Sequence, residues 1–229
     1  MGGHGVAAKA ATLIDVQDHG KLSIAPDAKA PLLVVFGGID VGGVHSGVYM
    51  WKYMSTIKNR FHIFVATSNS VNGTQAYSAL MKTLHDKGLT PSRQILYLFS
   101  GGYKPGINVL SGAGPSMFSS IYLVDIWMGL GKHRDPTVAN FYKALADRNA
   151  GKMTYVYTSF GANNEDARDY IAKKVGARAT LVTGSGMDVH MGTNATAVPL
   201  SNRSAQESGM KPVQRERVRN VMEDAAGSY

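Results

Sequence analysis

The chain has 229 residues, of which 44% are hydrophobic and 17% charged. This composition is typical of a globular domain and excludes a disordered chain. The absence of cysteine excludes disulfides, thiolate metal sites and a cysteine nucleophile. The formal net charge of +8 is compatible with contact with an anionic surface, and basic residues scattered for solubility would give the same charge. No stretch interleaves basic with aromatic residues as nucleic-acid grooves do, so we do not expect a nucleic-acid partner.

The two ends of the chain differ in composition from the middle. Residues 1–10 are glycine-rich and predict a flexible lead-in, whereas residues 201–229 predict a polar tail with a helix. Residues 11–200 predict a single domain. No apolar run reaches the roughly 18 residues of a transmembrane helix, and the start lacks the apolar core of a signal peptide. A cytoplasmic location is therefore the default expectation; export by a non-Sec route and truncation of a longer protein remain alternatives.

Apolar runs alternate with helical patterns along the predicted domain. The strand patterns cover residues 11–17, 21–26, 31–38, 61–67, 94–100, 120–126, 153–159 and 177–184. The helical patterns cover residues 46–59, 73–88, a short segment from Pro105, 135–151 and 164–176. The first two strands predict an antiparallel edge hairpin. The continuous apolar strands predict an α/β fold, with a mostly parallel sheet between helices on both faces.

Polar side chains follow several predicted strands where those strands end. Ser100 ends the run 94–100 and precedes two glycines, Asp125 lies at the end of the next strand, and His190 follows the last one. The carboxyl ends of parallel strands meet at one edge of the sheet, which is where ligands bind. A serine, an acid and a histidine in this order are the order of an α/β-hydrolase triad.

The chain therefore resembles the α/β-hydrolase superfamily, in particular compact esterases and lipases without a lid domain. The resemblance spans roughly residues 31–200. In that family the nucleophile lies in a G-x-S-x-G turn between a strand and a helix. Here the turn reads Leu98-Phe99-Ser100-Gly101-Gly102, which matches the downstream glycine and has Leu98 at the upstream one. The resemblance implies Ser100 as nucleophile, His190 as base and Asp125 as the acid.

Two parts of the proposed site have alternatives in the sequence. Many family members place the acid one strand later, which would be Glu165 or Asp166. These two acids also suit the first turn of a helix, where the macrodipole favours negative charge. The family's oxyanion hole implies one backbone N–H from Gly101 and another from Gly38 or Ile39 in the glycine-rich turn after an early strand.

These residues predict a serine hydrolase that cleaves an ester, with a small-molecule, lipid or cell-envelope acyl group as substrate; an amide is an alternative. His45, Trp127 and Met191 are candidate substrate-side residues, since they lie near the proposed site in the sequence. Trp127 and Met191 would form an apolar acyl wall. The resemblance implies no metal and no organic cofactor.

Two other function classes compete with the hydrolase. A non-catalytic α/β binding module would have the same pattern of elements. An NAD(P)-dependent oxidoreductase of the short-chain type would use Tyr170 and Lys174, which have the Tyr-x-x-x-Lys spacing. The glycine-rich turn lacks the G-x-G-x-x-G spacing, however, and no acidic residue ends the following strand, so the sequence favours the hydrolase.

Overall fold

The computed structural model describes residues 12–40, 45–128, 136–158 and 165–182, together with His190 and Thr193. Eight strands lie within these residues: β1 (Thr12–Asp15), β2 (Gly20–Ile24), β3 (Leu32–Phe36), β4 (His62–Ala66), β5 (Gln94–Phe99), β6 (Ser120–Val124), β7 (Met153–Thr158) and β8 (Ala179–Val182). The helices are α1 (Ser46–Met54), α2 (Gly73–Asp86), α3 (Tyr103–Gly112), α4 (Pro136–Asn149) and α5 (Glu165–Val175). None of these helices is long and apolar enough to cross a membrane. The predicted lead-in and tail lie outside the described residues.

The strands form one sheet in the order β1-β2-β4-β3-β5-β6-β7-β8. The pairs β1–β2 and β2–β4 are antiparallel, and every other neighbouring pair is parallel. The predicted fold class is confirmed, including the antiparallel hairpin at the N-terminal edge. Because β3, β5, β6, β7 and β8 are parallel and adjacent, their carboxyl ends lie along one edge of the sheet.

The sheet separates two apolar cores, because neighbouring residues of a strand point to opposite faces. Val34 and Leu98 belong to the core that contains the buried residues of α2, α3, α4 and α5. Leu33 and Phe99 belong to the second core, where α1 contributes Met50 and Met54. The strands are buried on both faces for this reason, and their sequences are continuous apolar runs.

The helix after Ser100 begins earlier than its sequence pattern indicates. Residues Ser100–Gly102 form a 3-10 turn, and α3 follows directly from Tyr103 instead of Pro105. Proline lacks an N–H group, but the first N–H groups of a helix have no partner within it. Pro105 therefore fits as the third residue of α3, so the turn between strand and helix is shorter than predicted.

Candidate active site

Ser100 occupies a tight turn between β5 and α3 at the carboxyl edge of the sheet. Its φ angle is +49°, a left-handed conformation that is uncommon for residues other than glycine. Gly102 lies so close to β3 that a Cβ on it would be 2.3 Å from the Phe36 carbonyl oxygen. The turn therefore needs glycine at position 102, and the 3-10 turn Ser100–Gly102 connects β5 directly to α3.

His190 links Ser100 to Asp125 through both nitrogens of its ring. Its Nε2 lies 2.8 Å from the Ser100 Oγ, and its Nδ1 lies 2.5 Å from the Asp125 Oδ2. An ionised carboxylate only accepts hydrogen bonds, so Nδ1 carries the proton and Nε2 of the neutral ring accepts the serine O–H. The ring stacks on Phe99, with 4.9 Å between centroids, and Trp127 lies 6.1 Å away. These aromatic contacts fix the plane of the imidazole.

Asp125 is held at the end of β6 by its neighbour on β7. Its Oδ1 accepts the Thr158 backbone N–H at 2.9 Å, and its Oδ2 accepts the Thr158 hydroxyl at 2.6 Å. The guanidinium Nη2 of Arg168 lies 3.7 Å from Oδ1. Exposed fractions are 1% for Ser100, 1% for Asp125 and 3% for His190. A buried carboxylate with this many partners is a well-oriented acceptor for an imidazole N–H.

The turn after β3 lies against Gly101. A Cβ on Gly101 would be 3.2 Å from the Ile39 backbone nitrogen and 2.8 Å from Nδ2 of the Asn69 side chain. The predicted oxyanion residues Gly101 and Ile39 are therefore close together beside Ser100, and Gly38 is buried next to them. Glycine at position 101 is what allows these backbone segments to approach so closely.

Some of the other predicted residues lie near His190, and others lie away from it. Glu165 and Asp166 are exposed in the first turn of α5, whereas Asp125 contacts His190. The Trp127 side chain lies beside the His190 ring, and the Trp127 backbone N–H donates to the Ser100 carbonyl at 3.4 Å. Met191 lies outside the described residues.

His45, the residue before α1, contacts Asp40. Its Nδ1 donates to the Asp40 Oδ2 at 2.9 Å, and the Asp40 Oδ1 accepts the Ser46 N–H at 2.7 Å. The Asp40 carboxylate therefore accepts one of the unpaired N–H groups at the start of α1 and also contacts His45. The His45 ring is exposed, and its place on the substrate side of the site stays a prediction.

Tyr170 and Lys174 lie on α5, where they share one acid. The Tyr170 hydroxyl donates to the Asp147 Oδ1 at 2.6 Å, and the Lys174 Nζ lies 2.8 Å from the same oxygen. Asp147 belongs to α4, so the pair ties α4 to α5. Neither side chain joins the group around Ser100, and their spacing is explained by this contact between helices.

Three residues of the site were missed by the sequence analysis: Thr158, Arg168 and Asn69. Arg168 had a detectable signal, because it shares the apolar stripe of α5 with Ile171 and Val175, where a charged residue is unexpected. Thr158 and Asn69 had none, since small polar residues commonly follow strands. No group of three or more histidine or acidic side chains that could hold a metal ion occurs among the described residues.

Several solved structures share this architecture, among them two esterases and a depolymerase. Esterase 2 of Thermogutta terrifontis, in a structure phosphoramylated by tabun, matches with a TM-score of 0.54 at 12% identity, over 96% of this chain and 96% of that one. The esterase domain of a Rhodothermus marinus protein matches with a TM-score of 0.53 at 10% identity, over 91% and 92%. LpqC, a poly(3-hydroxybutyrate) depolymerase of Bordetella parapertussis, matches with a TM-score of 0.52 at 15% identity, over 86% and 94%.

These identities are low, so the likeness concerns the fold and not a shared substrate. No protein-family model matches the sequence, and no curated protein matches it either. The topology of the sheet and the position of the strand-to-helix turn at Ser100 agree with what the sequence resemblance implied. The α/β-hydrolase fold of the chain is confirmed.

Proposed function

Because the chain has the α/β-hydrolase fold, we propose that it is a serine hydrolase that cleaves carboxylic esters through an acyl-enzyme. One observation carries this proposal: the unbroken contact from the Ser100 Oγ through both ring nitrogens of His190 to Asp125. A nucleophile, a base and an orienting acid in hydrogen-bond contact are the arrangement that activates a serine hydroxyl.

In the first half of the reaction, the Ser100 Oγ attacks the ester carbonyl carbon and its proton passes to the His190 Nε2. The imidazolium that forms keeps its Nδ1–H on the Asp125 Oδ2, which stabilises the new positive charge. The tetrahedral intermediate collapses as the C–O bond to the alcohol breaks. His190 gives its proton to the departing alkoxide, leaving an ester between the acyl group and Ser100.

In the second half, water replaces the alcohol. His190 Nε2 takes a proton from the water as its oxygen attacks the acyl carbon, and then returns a proton to the Ser100 Oγ as that bond breaks. The products are the free acid and the original enzyme. Each proton that His190 accepts is released in the same half-reaction, so the cycle needs no other acid or base.

The N–H groups of Gly101 and Ile39 are the oxyanion donors in this proposal. The close approach of the Ile39 nitrogen to Gly101 supports this assignment. A donor of this kind typically stabilises the transition state by about 3 kcal/mol, because it is already oriented before charge develops. Gly38, which is buried in the same turn, is the alternative to Ile39 as the second donor.

Apolar side chains beside the turn support an uncharged acyl group as the substrate. Ile39 is 40% exposed although it lies next to Gly101, and Trp127 lies against the His190 ring. Burial of an acyl chain on such side chains contributes about 0.8 kcal/mol per methylene. We expect kcat/KM for nitrophenyl esters to rise from acetate to butyrate, and equal values would argue against an apolar acyl site.

A fluorophosphonate probe tests the function, since it reacts covalently with an activated serine. We expect mass spectrometry to find the label on Ser100 and the labelled protein to lose nitrophenyl-ester hydrolysis. The variant Ser100→Ala should neither react nor hydrolyse, with a melting temperature close to that of the wild type. Ser119→Ala is the matched control, because Ser119 is exposed at the opposite end of the same strands. Labelling elsewhere, or an active Ser100→Ala variant, contradicts the proposal.

A further inference from the structure

Arg168 is a charged residue on the buried face of α5. The other buried residues of this helix, Ala167, Ile171 and Val175, are apolar and belong to the core. Only 7% of the Arg168 side chain is exposed. Burying a charge without a partner is strongly unfavourable, so this position requires an anionic group nearby.

The anionic group is Asp125. Among the described residues, it is the one acid that forms an ion pair with Arg168, through Nη2 and Oδ1 at 3.7 Å. This distance is too long for a hydrogen bond, and Nη2 makes none within the described part of the chain. The guanidinium also lies over the Tyr157 ring, 5.3 Å from its centroid, which adds a cation–π contact.

The other polar neighbours of Arg168 do not replace Asp125. Glu165 and Asp169 line the same cleft of about 170 Å³ as Arg168, but both are exposed and neither forms an ion pair with it within the described residues. Burial raises the pKa of the Tyr155 hydroxyl, so this neighbour is neutral and is not a counter-ion. Asp125 is consequently the charge that Arg168 balances.

We propose that Arg168 is a positioning residue for Asp125, holding the carboxylate by its Oδ1 while the Oδ2 serves His190. The proposal rests on the proposed function, because it assigns Arg168 to the same site. In each half-reaction His190 gains and loses a positive charge, which alternately strengthens and weakens its pull on Oδ2. A fixed positive charge on the other oxygen, together with Thr158, keeps the carboxylate in place through both states.

The test compares Arg168→Met, which keeps the length of the side chain but removes its charge, with Arg168→Lys, which keeps the charge. We expect Arg168→Met to lower kcat by about 10- to 100-fold with little change in KM, because a displaced acid misorients His190. We expect Arg168→Lys to keep kcat within about threefold of the wild type. Lys174→Met, on the exposed side of the same helix, is the matched control and should leave kcat unchanged.

A purely structural role gives a different result. Arg168→Met would then lower the melting temperature while the folded fraction kept the wild-type kcat, and this outcome overturns the proposal. If Arg168→Met does not fold, Arg168→Lys decides alone: a folded lysine variant that loses more than about 30-fold in kcat contradicts a role for the charge.

Proton NMR of the resting enzyme separates this inference from the proposed function, because it needs no turnover. The proton between the His190 Nδ1 and Asp125 should resonate far downfield in the wild type and in Arg168→Lys, and should move upfield or broaden in Arg168→Met. An unchanged resonance in the methionine variant overturns the inference only. A wild type that does not react with fluorophosphonate contradicts the hydrolase function, whatever the resonance shows.

Discussion

The side chain of Leu98 fills the space beside α3 that Gly106 leaves empty. A Cβ on Gly106 would lie 2.5 Å from the Leu98 Cδ1 and 2.7 Å from its Cδ2. Leu98 stands where the family's turn has a glycine, so the small residue that lets strand and helix approach has moved from the strand to the helix. The sharp turn at Ser100 is compatible with a leucine two residues earlier for this reason.

Gly106→Ala is expected to destabilise the protein, against the usual effect of this change. Alanine normally stabilises a helix interior by about 0.5–1 kcal/mol relative to glycine. Here its methyl group would overpack the buried Leu98, and we expect the free energy of unfolding to fall by about 1–3 kcal/mol. Urea unfolding monitored by circular dichroism measures this change in the free energy of unfolding.

Leu98→Ala provides the matched background for this pair. By itself it should lower the free energy of unfolding by about 2–5 kcal/mol. In the Leu98→Ala protein, Gly106→Ala should be stabilising because its methyl group has space. The effects of the two changes are therefore expected to be non-additive. Gly151→Ala is the control, since a Cβ there meets nothing within 4 Å. A stabilising Gly106→Ala in the presence of Leu98 would show that the two residues do not compete for space.

Gly101→Ala is expected to impair catalysis more than stability. The new methyl group would lie 2.8 Å from the Asn69 Nδ2 and 3.0 Å from the Ile39 Cγ2, so it would push the turn after β3 away from Ser100. Displacing one oxyanion donor should lower kcat by about 100-fold. Steady-state hydrolysis of a nitrophenyl ester measures kcat. The double variant Gly101→Ala/Asn69→Ala should recover part of the lost kcat, because it removes one of the side chains that the new methyl group would contact. Full activity of Gly101→Ala would contradict the assignment of the Ile39 N–H as an oxyanion donor.

Thr158→Val is expected to reduce both stability and kcat, whereas Thr158→Ser should change neither by much. Valine keeps the shape and the backbone N–H but removes the hydroxyl that donates to the Asp125 Oδ2. Losing a hydrogen bond to a buried carboxylate should cost about 1–3 kcal/mol of unfolding free energy. Thermal unfolding and steady-state kinetics of the two variants give the comparison. Equal melting temperatures and equal kcat values for the valine and serine variants would exclude a role for the hydroxyl.

Asp125→Asn should lower kcat by at least about 1,000-fold, because an amide can donate to the His190 Nδ1 and so favour the wrong tautomer. The double variant Glu165→Gln/Asp166→Asn should stay within about threefold of the wild type, since both side chains are exposed in the first turn of α5. Steady-state release of nitrophenol at saturating ester gives kcat for both proteins and measures this difference. The reverse ranking would identify one of the two later acids as the functional one.

His62 is expected to make the fold sensitive to acid. Its Nδ1 accepts the Ala25 N–H at 3.1 Å, and its Nε2 donates to the Ala28 carbonyl at 3.2 Å, so the ring is neutral. Burial lowers the pKa of His62 below its ordinary value of 6.5. The unfolded chain therefore binds a proton first, and stability should fall as the pH drops below about 6.5, by at most about 1.4 kcal/mol per pH unit.

Urea unfolding between pH 5 and pH 8 (about three pH units) measures this dependence on acid. His62→Gln should reduce the dependence of the unfolding free energy on pH. His85→Gln should leave this dependence unchanged, because the His85 side chain is 90% exposed. An unchanged pH dependence in His62→Gln would mean that other groups set the acid stability.

The order of strands and helices could be read from the sequence because both signals are local. Apolar runs, their period and the residues that end them depend on near neighbours along the chain. The fold class and each strand were predicted on this basis, and the boundaries differ from the structure by a few residues, as for α3. The position of Ser100, Asp125 and His190 at the ends of strands was also visible, since parallel strands share one carboxyl edge.

The choice among the acids was open in the sequence, and the tertiary structure alone brings Asp125 to His190, 65 positions further along the chain. The same holds for Thr158 and Arg168, which meet Asp125 only because β6, β7 and α5 pack side by side, and for Leu98 opposite Gly106. Because each strand and helix depends on short-range patterns, the elements, the fold class and the residues at the sheet's edge were predictable from the sequence. Which side chains then touch depends on how the elements pack, a property of the whole fold that no local pattern contains.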